Sequence, residues 1–323
     1  MRVKLFRNDP MTYTPFVQDI DFFTERGIEF THSPRQCNLI VTRRYPSIAK
    51  RVKTILRSGF PRPILLWTHE PRFDNHFQSK IFGVPTIHIM NAYTGDVYLS
   101  NCSIYGPKIQ HGLVRLLNEE SAPDLSAPRQ ICFMGTYVDN PARHSFVVKG
   151  KDLNLTGVRQ QLALEGHQQG IVDIYGKGWP KGISLEDSRK GEWANKWRDR
   201  KIEILENYNF NICLENTNCD FYCSEKIWDS IRGGCLPIYY GKNNRIYDDF
   251  PKDSFIDLAE FESFRSVFDF VENMKHEEYL SRLNKCIEVY NRWCDPEARR
   301  VEREKMLLKI VARIKTIARS GFF

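Results

Sequence analysis

An α/β fold class follows from three features of the sequence. Short apolar runs alternate with longer amphipathic stretches along most of the 323 residues, the pattern of parallel strands joined by crossover helices. The composition is 41% hydrophobic and 27% charged with a mean hydropathy of −0.47, which excludes disorder or an integral membrane protein as the class of the whole chain. A polar, proline-containing, aperiodic stretch from Asn118 to Pro128 reads as a linker, so the strands and helices fall into two series of similar size.

The first series has strands expected at Arg2 to Phe6, Asn38 to Thr42, Ile64 to Thr68 and Pro85 to Met90, with a helix over about Ile48 to Leu56. The second begins with a strand at Gln130 to Tyr137 and a helix around Gly157 to Glu165. It continues with a strand at Ile171 to Tyr175, a helix around Trp193 to Glu206, a strand at Phe210 to Leu214, a helix from Glu225 to Ile231 and a strand at Leu236 to Tyr240. From Pro296 onward a basic helix places Leu307, Ile310, Ile314 and Ile317 on one face, with Lys305, Lys309, Arg313 and Lys315 among them. That helix is expected to close the fold across both domains, with contact to a membrane surface as the second reading. The expected divisions are residues 1–125, 126–295 and 296–323, and tandem α/β units of this kind commonly hold a ligand between them.

Lys and Arg outnumber Asp and Glu by 47 to 40, giving a net charge of +7 that reads as spread along most of the chain. An anionic partner is implied, either a phosphate-bearing small molecule or an acidic membrane surface. No RNA-binding signature or Cys/His finger spacing turns the charge into a nucleic-acid motif, so no nucleic-acid partner is expected. Nine cysteines without a CxxC point to free thiols in a reducing compartment. Cys219 and Cys223 lack a companion His pair, and no metal site is expected. No leader or membrane-spanning run stands out, and a cytoplasmic location, with peripheral membrane contact as an option, is the expectation.

The stretch richest in chemistry runs from Tyr208 to Asp229. A buried strand ends at Leu214, a polar loop follows, and Ser224 opens a helix as its expected N-cap. Free N–H groups and the positive end of the helix dipole would then face the carboxyl end of the strand, where an anion sits. Lys226 in the first turn opposes that dipole, which makes it a poor choice for stability and a good one for binding an anion. Glu225 either complements the dipole or accepts ribose hydroxyls. Asn216 and Tyr222 are loop caps or sugar contacts; spacing does not separate the two.

The run Glu215-Asn216 through Asp220-Phe221-Tyr222-Cys223-Ser224-Glu225-Lys226, followed by Leu236-Pro237-Ile238-Tyr239-Tyr240-Gly241, resembles the signature of the α1,3/α1,4-fucosyltransferases. That family has a Glu-Asn pair, an acidic-aromatic-x-Thr-Glu-Lys segment, and then a Pro-aliphatic-x-x-Gly strand. Trp67-Thr68-His69-Glu70-Pro71, Met90-Asn91-Ala92-Tyr93 with Tyr105-Gly106, Arg159 ahead of Val172-Asp173-Ile174-Tyr175-Gly176, and Asp249 to Ile256 extend the likeness over most of residues 60 to 260. Ser224 stands where the family has Thr. Thr94-Gly95-Asp96-Val97 replaces an Arg-rich stretch, and an insertion lies between Tyr137 and Arg159.

The resemblance implies a GT-B enzyme, with two Rossmann-like domains facing across a cleft, the N-terminal one for acceptor and the C-terminal one for GDP-fucose. It implies inverting transfer of L-fucose from GDP-β-L-fucose to a GlcNAc or Glc hydroxyl of an oligosaccharide or glycan, as an α1,3 or α1,4 linkage. Glu70 is the implied base, with His69 as runner-up because imidazole ordinarily titrates in the useful range. Arg159 and Lys226 would neutralise the leaving diphosphate, and Tyr93, Asn216, Tyr222 and Glu225 would complete the donor site. No metal is required on this reading, and stimulation by a divalent cation such as Mn2+ or Mg2+ stays open. Another GT-B nucleotide-sugar transferase and a non-catalytic carbohydrate- or membrane-binding protein are the alternatives.

Overall fold

The computed structural model describes residues 2–11, 14–71, 84–91, 101–102, 106–107, 111–121, 123–125, 131–187 and 196–320. Each of its two compact units is built on a parallel five-stranded sheet, and the expected α/β class is the class observed.

The first unit comprises residues 1–99 and 300–323. Its strands are β1 (Val3–Arg7), β2 (Ile28–Thr31), β3 (Leu39–Thr42), β4 (Ile64–Trp67) and β5 (Ile87–Met90), in the order β2-β1-β3-β4-β5. Every residue of β3 and β4 is buried, which is why they read as unbroken apolar runs. Strand β2 was not expected: it lies at the sheet edge and buries only Ile28 fully, so it carries no strong pattern. The short helices α1 (Pro15–Gln18) and α2 (Ile20–Glu25) precede it. Helix α3 (Ile48–Ser58) starts at Ser47, whose hydroxyl accepts from the Lys50 amide, and stops at Gly59 at φ +78°, whose amide donates to the Ile55 carbonyl.

The second unit comprises residues 100–299. Its strands are β6 (Ile131–Met134), β9 (Val172–Tyr175), β10 (Phe210–Ile212), β11 (Leu236–Tyr239) and β12 (Ile256–Asp257), in the order β12-β11-β10-β6-β9. A small hairpin of β7 (Val147–Val148) and β8 (Lys151–Asp152) leads into α4 (Thr156–Gln168). The remaining helices of this unit are α5 (Trp197–Leu205), α6 (Glu225–Arg232), α7 (Phe264–Glu272) and α8 (His276–Cys294), and α9 (Pro296–Ser320) starts here but falls mostly within the first unit. The core gathers Phe210, Trp228, Phe250, Phe255, Phe268 and Tyr279, each at most 2% exposed.

Two features depart from the expected layout. The residues just ahead of the segment read as a linker are anchored within the second unit. The Val114 and Leu117 amides donate to Asn291 and Asn284 of α8 at 2.8 Å, and both side-chain amides donate back to the Val114 and Leu117 carbonyls. The unit boundary therefore falls at 99/100 rather than near 125. Residues 300–323, which take in most of the terminal helix, cluster with the first unit, and Leu307, Ile310, Ile314 and Ile317 are all buried. The apolar face weighed for a membrane surface is thus occupied inside the protein. All nine cysteines are free and buried. Among the described residues, no helix is long and apolar enough to cross a membrane.

Candidate functional site

In the second unit, the strand order places β9 on one side of β6 and β10 on the other, so the connections leave β6 in opposite directions. Parallel sheets bind ligands beyond the carboxyl ends of the strands at such a reversal. A cavity of about 200 Å³ lies there, bordered by Met134, Gly135 and Thr136 after β6, by Tyr175, Gly176 and Lys177 after β9, and by Asn216 after β10. Gly176 sits at φ +128°, and a Cβ there would collide with the Gly135 carbonyl oxygen. Only glycine lets the ends of β6 and β9 approach this closely.

The loop after β10 is fixed by its own polar chemistry. The Leu155 amide donates to the Asn216 carbonyl at 3.0 Å and the Asn218 amide to the Leu153 carbonyl at 2.7 Å, tying the loop to the start of α4. Glu215 is 3% exposed and accepts three bonds: from the Ser224 amide at 2.7 Å, the Ser224 hydroxyl at 2.8 Å and the Lys226 ammonium at 2.9 Å. The Ser224 hydroxyl therefore donates to Glu215 instead of capping α6, a correction to its expected role. An Asp or Glu ligand of this kind also explains why a lysine is tolerated in the first turn of a helix: its charge is held by a buried carboxylate.

Four cations, Arg159, Lys177, Lys201 and Lys226, border the cavity together with the carboxylates Asp187 and Glu225. Burial opposes the charge of Lys226, but the Glu215 and Glu225 carboxylates more than offset it and raise the ammonium above its usual value. Burial would likewise raise Glu225, yet Lys226, with Lys201 and Arg198, holds its carboxyl below the usual value. Both groups are therefore charged at neutral pH. Arg159 donates to the Leu214 carbonyl at 3.5 Å, which places it over the end of β10. The Asn216 side-chain oxygen is buried without a hydrogen-bond partner at the cavity wall; the neighbouring Thr217 hydroxyl, which does not border the cavity, is also buried without one. Orphaned acceptors are uncommon in folded proteins, and one at a cavity wall is available to a ligand donor.

Residues 149–306, just under half of the chain, match the model described as glycosyltransferase family 10 (fucosyltransferase) C-term. The likeness to that family rests on this segment. The chain is 37% identical over 71 residues to an α-(1,3)-fucosyltransferase of Helicobacter pylori, an alignment covering 22% of this chain and 15% of the relative. It is 31% identical over 83 residues to GDP-fucose protein O-fucosyltransferase 3 of Canis lupus familiaris, covering 25% of this chain and 17% of that protein. The chain thus matches less than a fifth of each relative's length. A crystal structure of an α1,3-fucosyltransferase is similar at a TM-score of 0.49 and 17% identity, covering 87% of this chain and 81% of that one.

Of the residues expected from sequence, the family 10 segment brings Arg159, Asn216, Glu225 and Lys226 to one cavity. Tyr222 is buried and does not border it. Tyr93 lies outside the described residues. Glu70 belongs to the first unit, at the carboxyl end of β4, where it is exposed; its amide donates to the Thr68 hydroxyl and its carbonyl accepts from Asn91. His69 does not titrate in the range expected of it, because burial, reinforced by Arg43, pushes it down to about 4. Burial also pushes the Cys219 thiol up to about 12, so that thiol stays protonated and unreactive.

Sequence reasoning missed four contributors. Glu215 was read only as part of a motif, although it organises the helix start. Lys201 reaches the cavity from α5 while paired with Asp229 at 2.8 Å, and the one signal available was a lysine on the face that buries Ile202 and Leu205. Gly135 and Gly176 follow their strands directly, a spacing that marks a close approach.

Proposed function

We propose that the chain is an inverting fucosyltransferase that carries L-fucose from GDP-β-L-fucose to a hydroxyl of GlcNAc or Glc in an oligosaccharide or glycan, forming an α1,3 or α1,4 linkage. The observation that carries the reading is the convergence of Arg159, Lys226 and Lys201 on a cavity at the carboxyl ends of β6 and β10, inside the segment that matches the fucosyltransferase family. Relatives named as an α-(1,3)-fucosyltransferase and as a GDP-fucose protein O-fucosyltransferase both match this chain, which supports donor chemistry as the common element.

In the proposed step, the acceptor oxygen bonds to the anomeric carbon as the bond from that carbon to the β-phosphate oxygen breaks. The acceptor proton passes to the Glu70 carboxylate, and the departing GDP takes up the electron pair. Charge growing on the diphosphate is met by Arg159 and Lys226, already fixed by the protein, so no reorganisation is needed as it develops. Glu225, held as the carboxylate, accepts ribose hydroxyls, and the orphaned Asn216 oxygen accepts another donor-sugar hydroxyl. Tyr93 remains a donor-site residue in this proposal, whereas Tyr222, buried away from the cavity, supports the loop and does not contact the donor. No metal is required, and a divalent cation acts at most as a stimulant. A cytoplasmic setting belongs to the same proposal, and the free, buried thiols support it.

Calorimetric titration with GDP-fucose, GDP-mannose and UDP-N-acetylglucosamine tests the donor half. Preference for GDP-fucose is expected, with Lys226→Gln or Arg159→Gln weakening it by roughly 10- to 100-fold, the scale of a lost charge-assisted hydrogen bond. Equal affinity for all three nucleotides would sink the assignment. Glu70→Gln is then expected to abolish turnover while leaving donor affinity in place, and full activity in that variant would remove Glu70 as the base.

A further inference from the structure

Helix α3 of the first unit turns its polar side inward. Arg51, Thr54 and Ser58 are the buried side chains; Arg51, 1% exposed, donates through Nε to the Pro85 carbonyl at 3.0 Å, and the Ser58 hydroxyl donates to the Thr54 carbonyl at 2.7 Å. The apolar side faces outward instead. Ile48, Val52 and Leu56, at i, i+4 and i+8, are 57%, 42% and 77% exposed, and exposed Tyr45 and Phe60 flank the two ends of the helix. Solvent-facing apolar side chains are ordinary one at a time, but a helix-long stripe of them marks an interaction surface.

A second, cationic stripe runs beside the first. Lys50, Lys53 and Arg57, at i, i+3 and i+7, border a cavity of about 300 Å³ at the carboxyl ends of β1 and β3, together with Arg44 and Asp9. A large share of the positive charge is gathered around this helix and not evenly dispersed along the chain. Between Glu29 and Glu70 there are eight Lys or Arg and no Asp or Glu, more positive charge than the net +7 of the whole chain.

A soluble polyanion would use the cations and leave the apolar stripe in water, whereas an apolar protein surface would leave the cations uncompensated. An anionic bilayer uses both, with the stripe entering the boundary of the acyl region and the cations meeting headgroup phosphates. Eleven residues span about 16 Å, too short to cross a bilayer and suited to lying in its plane. The apolar face of α9 is not available for this role, being buried. We propose that α3, flanked by Tyr45 and Phe60, is a docking surface for an anionic phospholipid bilayer.

Co-sedimentation of the full chain with vesicles of phosphatidylcholine alone, or of equal parts phosphatidylcholine and phosphatidylglycerol, tests this. Binding to the anionic vesicles is expected to be on the order of 100-fold tighter, and to weaken as salt is raised. The triple variant Lys50→Gln, Lys53→Gln, Arg57→Gln is expected to lose on the order of 100-fold. Ile48→Ser, Val52→Ser, Leu56→Ser together, which leave the charge untouched, are expected to lose at least about tenfold. All six positions are exposed, so both variants should melt as the parent does, and Leu185→Ser, at an exposed leucine of the second unit, should bind as the parent does. Undiminished binding in the serine variant would overturn the proposal in favour of a soluble-polyanion site. A parent dimer that the serine variant dissociates, without vesicle binding by either, would overturn it in favour of contact between copies of the chain.

Discussion

At the scale of single residues, Glu215 ties the candidate site to the stability of the fold. Its carboxylate is buried and serves an amide, a hydroxyl and an ammonium at once. Removing one partner of a buried pair strands the other, so Glu215→Gln is expected to destabilise the protein by about 3 kcal/mol or more, and Lys226→Gln by a comparable amount. The double variant should lose less than the sum of the two, because neither charge is then left alone. Urea unfolding of the four proteins measures this coupling, and strict additivity would refute it. His69 makes a second prediction. Its folded value near 4 lies below the ordinary 6.5, so between those two values the unfolded chain binds a proton that the folded chain refuses. Stability contributed by neutral His69 is therefore present above about pH 6.5 and falls as pH drops toward 4, by at most about 3 kcal/mol because the ring retains some solvent access. Unfolding midpoints at pH 7 and pH 5 should converge in His69→Gln; an unchanged pH dependence would mean that the ring is not held neutral.

At the scale of elements, the close approach of β6 and β9 depends on the Gly135 and Gly176 pair. Gly176→Ala adds a Cβ into the Gly135 carbonyl at a φ that alanine resists, so a loss of at least about 2 kcal/mol and weaker nucleotide binding are expected together. Thermal melts with and without nucleotide measure both, and a variant that melts and binds as the parent does would show that the strand ends can separate freely. This dependence also explains what could be read in advance. Strands β3, β4, β10 and β11 were visible because a strand buried on both faces is a continuous apolar run, whereas edge strand β2 and the short α1 and α2 bury too little to leave a pattern. Arg159, Asn216, Glu225 and Lys226 were legible because a strand, a polar loop and a helix start are contiguous in sequence. Lys201 was not, because its place is set by how α5 packs against α6. The helix at α3 was legible, but not which of its sides turns inward, since that depends on the carbonyl of Pro85, far away in the chain, taking Arg51. The run of eight cations without an acid was present in the sequence but emerges only when charge is counted by position.

At the scale of the molecule, the chain divides its labour between two sheets with the same strand order, and its last helix crosses the sequence boundary between them. Residues 300–323 cluster with residues 1–99, so the first unit is completed only by the end of the chain. Met306, Leu307, Ile310, Val311, Ile314 and Ile317 are each at most 7% exposed. Removing a buried aliphatic side chain costs roughly 2–5 kcal/mol, and losing six at once exceeds the roughly 5–15 kcal/mol by which a domain is stable. A chain ending at Arg299 is therefore expected to lose the cooperative fold of the first unit. The second unit keeps its sheet, its aromatic core and the cavity with Arg159, Glu215 and Lys226, all of which lie within residues 100–299. Hydrogen exchange on the shortened chain should show β1, β3 and β4 unprotected while β6, β9 and β10 stay protected, and nucleotide titration should still detect binding. Loss of protection in both sheets, with nucleotide binding abolished, would instead mean that the second unit folds only when the first is complete, and the donor site would then be a property of the whole chain and not of residues 100–299.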